Sequence, residues 1–306
     1  MNRDQLYDQL KMIVSKKNVI KDKPLKEYTY TRLGGEADYF VTPESYEQVQ
    51  RIVKFSREHQ IPFTLLGNGS NLIIKDGGIR GIVMNLGKLK DIQIEEGRVT
   101  AQAGARIIDV SRAALDQHLT GLEFACGIPG SVGGALFMNA GAYGGEVEDV
   151  LTYATVVTQE GELKQLKASD LDLSYRTSNI PDNGYIVLDA VFDLRSGVYE
   201  EIKAVMDDLT FKRESKQPLE YPSCGSVFKR PPGYFAGKLI QDSNLQGAQI
   251  GGAQVSTKHA GFIVNIDGAT ADEYIALIHY VQHKVKENFG VDLEREVRII
   301  GEDLEK

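Results

Sequence analysis

Apolar residues recur at helical spacing along some stretches of the chain and alternate along others, and the two patterns interleave throughout. Val49, Ile52 and Val53, with Phe55 beside them, put an apolar stripe on a helix predicted at 44–59. Tyr274, Ile275, Leu277, Ile278, Val281, Val285 and Phe289 do the same for a long helix at 271–289. That helix opens on a Thr270-x-x-Glu273 capping box and is closed by Gly290. Further helices are predicted near 3–17, 107–117, 199–214 and 233–243, with a short one capped by Ser169. Strands are predicted at 37–41, 63–66, 72–75, 82–86, 153–158, 162–167, 185–194, 261–265 and 293–300. A hairpin joins D-I-Q-I to R-V-T-A-Q-A through Glu95-Glu96-Gly97. The elements fall into three modules, 1–86, 87–196 and 197–306, the first a compact α/β piece, with Ser196-Gly197 as the clearest boundary.

Composition narrows the function classes. At 306 residues, with 42% hydrophobic and 25% charged residues, the chain has the make-up of an ordinary globular protein. A formal net charge of −8 leaves no basic stripe for general nucleic-acid binding. A local cluster of Lys212, Arg213, Lys216, Lys229 and Arg230 still leaves room for a small anionic substrate. Cys126 and Cys224 are too few for a disulfide framework and fit no zinc spacing. His279 and His283 share a helix face but lack a third ligand, so no metal is expected. No apolar run has signal-peptide or membrane-spanning length, and the cytoplasm is the expected compartment.

Two glycine turns carry the densest signal. One is L-G-N-G-S-N-L at 66–72; the other is G-I-P-G-S-V-G-G-A-L-F-M-N-A-G-A-Y-G-G at 127–145. Gly130, Gly133 and Gly134 let backbone N–H groups converge, while Asn68, Ser70, Asn71 and Ser131 offer side-chain hydrogen bonds. The run after Pro129-Gly130 reads as the start of a buried helix, whose first amides are expected to face a pyrophosphate. The plainer reading is two turns that pack tightly. Neither a P-loop nor a G-x-G-x-x-G dinucleotide fingerprint is present. Arg176, Ser226 and Glu296 stand out as a guanidinium, a hydroxyl and a carboxylate able to bind an acidic substrate and deliver a proton. Each alone reads as readily as surface, turn or ion pair.

Six motifs in order make the chain resemble the UDP-N-acetylenolpyruvoylglucosamine reductases over nearly its whole length. They are T-R-L-G-G at 31–35, L-G-N-G-S-N-L at 66–72, G-I-P-G-S-V-G-G-A-x-x-M-N-A-G-A-Y-G at 127–144, Y-R-T-S at 175–178, C-G-S-V-F-K-R-P at 224–231 and L-E-R-E-V-R-I-I-G at 293–301. The resemblance implies two FAD-binding subdomains of the vanillyl-alcohol-oxidase (PCMH) type, 1–86 and 87–196, and a C-terminal α+β substrate-binding domain at 197–306. It implies noncovalent FAD held by Arg32, by Gly67, Asn68, Gly69, Ser70 and Asn71, and by Gly130, Ser131, Val132, Gly133, Gly134 and Gly141. It also implies that NADPH reduces the flavin and leaves, and that flavin N5 then passes hydride to the vinylic carbon of the enolpyruvyl ether. Arg176 and Glu296 match the residues that hold the substrate carboxylate, and Ser226 matches the proton donor, with Lys229 nearby. Lys216, Arg230 and His259 fall at further substrate positions, although the family often carries an amide side chain where Arg230 and His259 stand. The interval between Arg176 and Lys216 is too short for the Tyr-bearing insertion of some members, so the chain resembles the shorter subclass. A flavin oxidase of the same fold and a catalytically silent UDP-sugar-binding protein are the rival readings. No membrane or nucleic-acid partner is expected.

Overall fold

The apolar stripes form helices whose ends are set by capping chemistry. A computed structural model describes residues 2–304. Helix α1, Arg3–Val14, starts at Asn2, which forms a capping box with Gln5. It stops before the predicted end because Ser15 turns into the left-handed region at φ 71. Helix α2, Tyr46–Glu58, is capped by Ser45 and buries Val49, Ile52, Val53 and Ser56. Helices α3, Ile107–Asp116, and α4, Val132–Phe137, follow, and then α5, Tyr199–Lys216. Helix α6, Ala236–Asp242, begins later than predicted because Gly233 takes φ 76 and Phe235 is an extended cap. Helix α7, Ala271–Phe289, has the expected Thr270 capping box and a left-handed Gly290. The helix expected at Ser169 is a single 3-10 turn, Ala168–Asp170.

The chain forms two compact units, each drawn from separate stretches. The first takes the residues up to Asp22, Asp38–Asn68 and Gly81–Lys212. It contains the greater part of a sheet in the order Val19–Pro24, Glu36–Val41, Ile79–Asn85 and Phe63–Leu66. The last two strands pair in parallel, Phe63 opposite Ile82. A second, antiparallel sheet runs Leu163–Lys167, Leu151–Val157, Ile186–Asp193, Arg98–Gln102 and Ile92–Glu95. Its central strand is buried from Ile186 to Phe192, as a strand covered on both faces should be. One core joins Val41, Ile82 and Met84 to Val99, Ala154 and Phe192. On α5, Ile202 and Met206 pack against Cys126.

The second unit takes Lys23–Ala37, Gly69–Arg80 and the chain from Arg213 onward. It therefore gathers two pieces of the predicted first module around the third. An antiparallel sheet in the order Ser223–Ser226, Phe262–Asn265, Ala253–Val255 and Gln249–Ile250 carries α6 and α7. Tyr274, Leu277, Ile278, Val281 and Val285 of α7 pack with Leu239, Ile240, Val255 and Ile263. Ile275 is half-buried and Phe289 is exposed, so the stripe on α7 is narrower than its sequence suggests. Leu72–Ile74 pairs in parallel with Arg298–Ile300, Leu72 opposite Arg298. Only those last three residues of the predicted 293–300 strand form this ladder. Among the described residues no helix is long and apolar enough to cross a membrane.

The Asp76 carboxylate accepts from the amides of Ala271 at 3.1 Å and Asp272 at 3.2 Å, capping α7 from a distant segment. Asp76→Ala should destabilise the second unit by about 1–2 kcal/mol. Asp303→Ala, which removes only the surface partner of Lys75, should cost less than about 1 kcal/mol. Urea unfolding of the two variants measures the difference, and equal midpoints would remove the capping role.

Candidate active site

Arg176 lies in the first unit on a tight turn. Ser174 and Thr177 exchange backbone hydrogen bonds, N to O, at 3.2 and 3.0 Å. Arg176 is the third residue of that turn, at φ 55, a place where glycine is the ordinary choice. Its guanidinium donates through Nη2 to the Gly141 carbonyl at 2.6 Å and lies 5.2 Å from the Tyr175 ring centroid. The turn is stapled to the end of α4 twice more. Ser178 Oγ donates to the Phe137 carbonyl at 2.6 Å, and Asn139 Nδ2 to the Ser174 carbonyl at 3.2 Å. The motifs M-N-A-G and Y-R-T-S are thus two sides of one contact.

Ser226 and Glu296 both lie in the second unit, on neighbouring segments. Between Ser223 and Ser226 the pairing with Phe262–Asn265 shifts register, and Gly225 sits at φ 78. This glycine bulge turns the Ser226 side chain out to an exposed position. A Cβ on Gly225 would meet nothing within 4 Å, so glycine is there for its conformation and not for space. The Val227 carbonyl accepts from the Glu296 amide at 2.8 Å, Phe228 bridges Arg295, and the Lys229 amide donates to the Glu294 carbonyl at 2.9 Å. On the other side of Glu296, Asn71 Nδ2 donates to its carbonyl at 3.2 Å and the Asn71 carbonyl accepts from the Arg298 amide. Beneath Ser226, Cys224 is buried with Sγ 3.4 Å from Tyr274 Oη, and burial pushes the thiol up to about 11. It is a neutral packing residue.

The first turn of α4 departs from expectation. The amides of Val132 and Gly133 donate to the Ala105 and Ala103 carbonyls at 2.8 and 2.9 Å, and the Gly134 amide donates to Ser131 Oγ. These donors are spent on the protein, and Gly133 is demanded by Ala103, whose Cβ would lie 3.1 Å from an added Cβ. The buried amides of Gly130 and Ser131, just before the helix, find no protein acceptor among the described residues. In the same unit Asn68 Nδ2 donates to the Pro129 carbonyl at 3.4 Å, and a Cβ on Gly67 would stand 3.1 Å from Ser131 Oγ.

In the second unit a Cβ on Gly69 would strike the Tyr28 carbonyl at 1.9 Å, while the Gly69 carbonyl accepts from the Tyr30 amide at 3.0 Å. The amides of Gly69 and Ser70 have no protein acceptor among the described residues. Arg32, at φ 56, sits in this same loop, which the buried Asn265 holds by donating to the Thr31 carbonyl at 3.0 Å. Each turn therefore keeps backbone donors of the kind a diphosphate takes.

The remaining expected positions are all in the second unit. Lys216 is the exposed last residue of α5. The Lys229 ammonium is paired with Glu294 at 2.6 Å, and the Arg230 guanidinium stacks 4.0 Å from the Phe235 ring centroid. Burial lowers the pKa of His259. Its Nδ1 accepts from the Gly261 amide at 3.2 Å, which leaves Nε2–H as a donor. Among the described residues no cluster of His, Cys, Asp or Glu is built for a metal ion. Asn71, as a holder of Glu296, was not read from the sequence, and neither Asn139 nor Asn265 was singled out. The signal for Asn265 was a lone amide ending an apolar strand.

Because position 176 is left-handed, Arg176→Gly should be more stable than Arg176→Ala by about 1 kcal/mol. Thermal unfolding of the pair tests this, and an alanine variant at least as stable would mean that the turn relaxes.

Known proteins resemble both halves of the chain. The model of an FAD binding domain matches residues 37–167, and that of the UDP-N-acetylenolpyruvoylglucosamine reductase C-terminal domain matches residues 217–300. A UDP-N-acetylenolpyruvoylglucosamine reductase of Oceanobacillus iheyensis is 69% identical over 298 residues, 97% of each chain. That of Geobacillus kaustophilus is 64% identical over 300 residues, 98% of this chain and 99% of its own. Among solved structures, the UDP-N-acetylenolpyruvylglucosamine reductase of Thermus caldophilus is 33% identical, with a TM-score of 0.79 over 92% of this chain and 97% of its own. Phl p 4.0202, a glucose dehydrogenase, shares only the fold, at 15% identity and a TM-score of 0.52 over 64% of this chain and 44% of its own. With an FAD-binding domain of the PCMH type followed by the matching C-terminal domain, the chain belongs to the UDP-N-acetylenolpyruvoylglucosamine reductase family.

Proposed function

We propose that this protein reduces the enolpyruvyl ether of UDP-N-acetylglucosamine to UDP-N-acetylmuramate for peptidoglycan synthesis, with NADPH as reductant and noncovalent FAD as carrier. The observation that carries the reading is the pairing of the Ser226 bulge with the Glu296 segment, in a chain that also retains Arg176 on its turn. We place the reaction in the cytoplasm, FAD with subdomains 1–86 and 87–196, the substrate with 197–306, and the chain in the subclass without the Tyr insertion.

When bound, FAD supplies the hydride-carrying N5 atom. The donors of the 67–71 and 130–131 turns hold its diphosphate. Arg176 and Glu296 hold the substrate carboxylate, into which charge spreads as the vinylic carbon is reduced. Preorganised contacts of this kind are worth about 3–4 kcal/mol each to the transition state. Ser226 then gives its proton to the carbon that bears the ether oxygen. Its hydroxyl is a weak acid, but the enolate it quenches is a strong base. Lys216, Lys229, Arg230 and His259 contact the anionic and hydroxyl groups of the nucleotide sugar.

NADPH oxidation that depends on the enolpyruvyl substrate tests the reading. A yellow protein that oxidises NADPH without regard to that substrate would overturn it. Acid precipitation should release all the flavin into the supernatant, and colour left in the pellet would refute noncovalent binding. Ser226→Ala should leave flavin reduction by NADPH nearly intact while enolpyruvyl-dependent turnover falls by at least about 10⁴-fold. Stopped-flow measurement separates the two half-reactions. Equal loss in both would make Ser226 structural.

A further inference from the structure

Arg176 is held in a backbone conformation that costs an L-residue about 1–2 kcal/mol. Such a residue persists only where its surroundings over-determine it. Asn139 is the most deeply buried part of those surroundings. It is fully inaccessible, its Nδ2 donates to the Ser174 carbonyl at 3.2 Å, and its Oδ1 accepts from the Glu148 amide at 3.0 Å. It also ends α4, with its own backbone at φ 42 and its amide on the Leu136 carbonyl.

A helix stop of this kind needs only glycine, and glycine stands at Gly130, Gly133, Gly134, Gly141, Gly144 and Gly145 around it. Asparagine carries a backbone penalty there that glycine does not. What it adds is an amide that spans from the α4 terminus to the turn carrying Arg176. The other staples do not replace it. Ser178 fixes the far side of the turn, and the Gly141 carbonyl holds the guanidinium rather than the backbone.

We propose that Asn139 is a positioning residue for Arg176, setting the height of the turn and so the aim of the guanidinium at the substrate carboxylate. This rests on the role given to Arg176 above. The test is a double-mutant cycle with flavin content, thermal midpoint and both half-reactions measured on the loaded full chain. Arg176→Ala must itself reduce enolpyruvyl-dependent turnover strongly. If it does not, the role of Arg176 fails and this inference fails with it.

Given that loss, Asn139→Gly alone should slow the enolpyruvyl half-reaction by about 10- to 100-fold, mainly in kcat. Flavin content and flavin reduction by NADPH should stay within about twofold. In the Arg176→Ala background the same change should lower the thermal midpoint equally and add no further loss of rate. Loss of the same size in both backgrounds, or no loss in either, would overturn the proposal while leaving the reductase reading intact.

Should Asn139→Gly not accumulate with flavin, Asn139→Asp enters the same cycle. It keeps the acceptor for the Glu148 amide and, while ionised, sets a buried charge against the Ser174 carbonyl in place of the donor. Its deficit relative to the wild type should shrink as pH falls and the carboxyl becomes a donor again, and a deficit independent of pH would count against the proposal.

Discussion

The backbone of residues 294–298 is claimed from two sides at once, and the arrangement of the second unit follows from that. Val227 and Lys229 take its hydrogen bonds on one side, and Asn71 takes them on the other. Backbone polar groups taken out of water have to be paired, so none of the three segments can shift without breaking bonds of another. Ser226 is one residue from Val227, Glu296 lies in the middle segment, and Asn71 ends the polar glycine turn. The proposed proton donor, the carboxyl and part of the loop proposed to bind the diphosphate therefore move as one object. Cys224, Tyr274 and the α7 stripe give that object a hydrophobic footing.

The first unit solves a different problem. Arg176 must project from a turn that prefers glycine, and the cost is met by hydrogen bonds from the end of α4. The same glycine-rich run that leaves the Gly130 and Ser131 amides unpaired also supplies Phe137, Asn139 and Gly141 as anchors. Arg32, Arg176 and the anchor Asn139 take left-handed backbones, as do residues in ordinary turns such as Gln60, Glu96 and Asn244. What sets Arg176 apart is that its turn is tied to the end of α4 by three hydrogen bonds.

Much of this was legible in the residues. Helical spacing located α2 and α7, because a buried stripe and good caps act locally. The motifs located Arg176, Ser226 and Glu296 in sequence, and the structure pairs the last two through Val227. What could not be read was tertiary. The 293–297 stretch looks like a strand by alternation, yet it is held by single bonds to Val227 and Lys229 on one side and Asn71 on the other. The amides of Val132 and Gly133 look available at a helix start until Ala105 and Ala103 arrive from a distant strand end. Ser15 and Gly233 clipped two helices through backbone conformations that no periodicity records.

The pairing of Leu72–Ile74 with Arg298–Ile300 sets a schedule for biosynthesis. Asn71 and Glu296 are 225 residues apart in the chain. At ordinary elongation rates the 69–80 segment waits on the order of ten to forty-five seconds for its partner to emerge. During that interval Ile73 and Ile74, both fully buried in the finished protein, have no sheet to join. All of the first unit, which ends at Lys212, is translated before that partner exists, so it can collapse while the second stays open. Pairing with Arg298–Ile300 then gives the waiting strand its only ladder among the described residues.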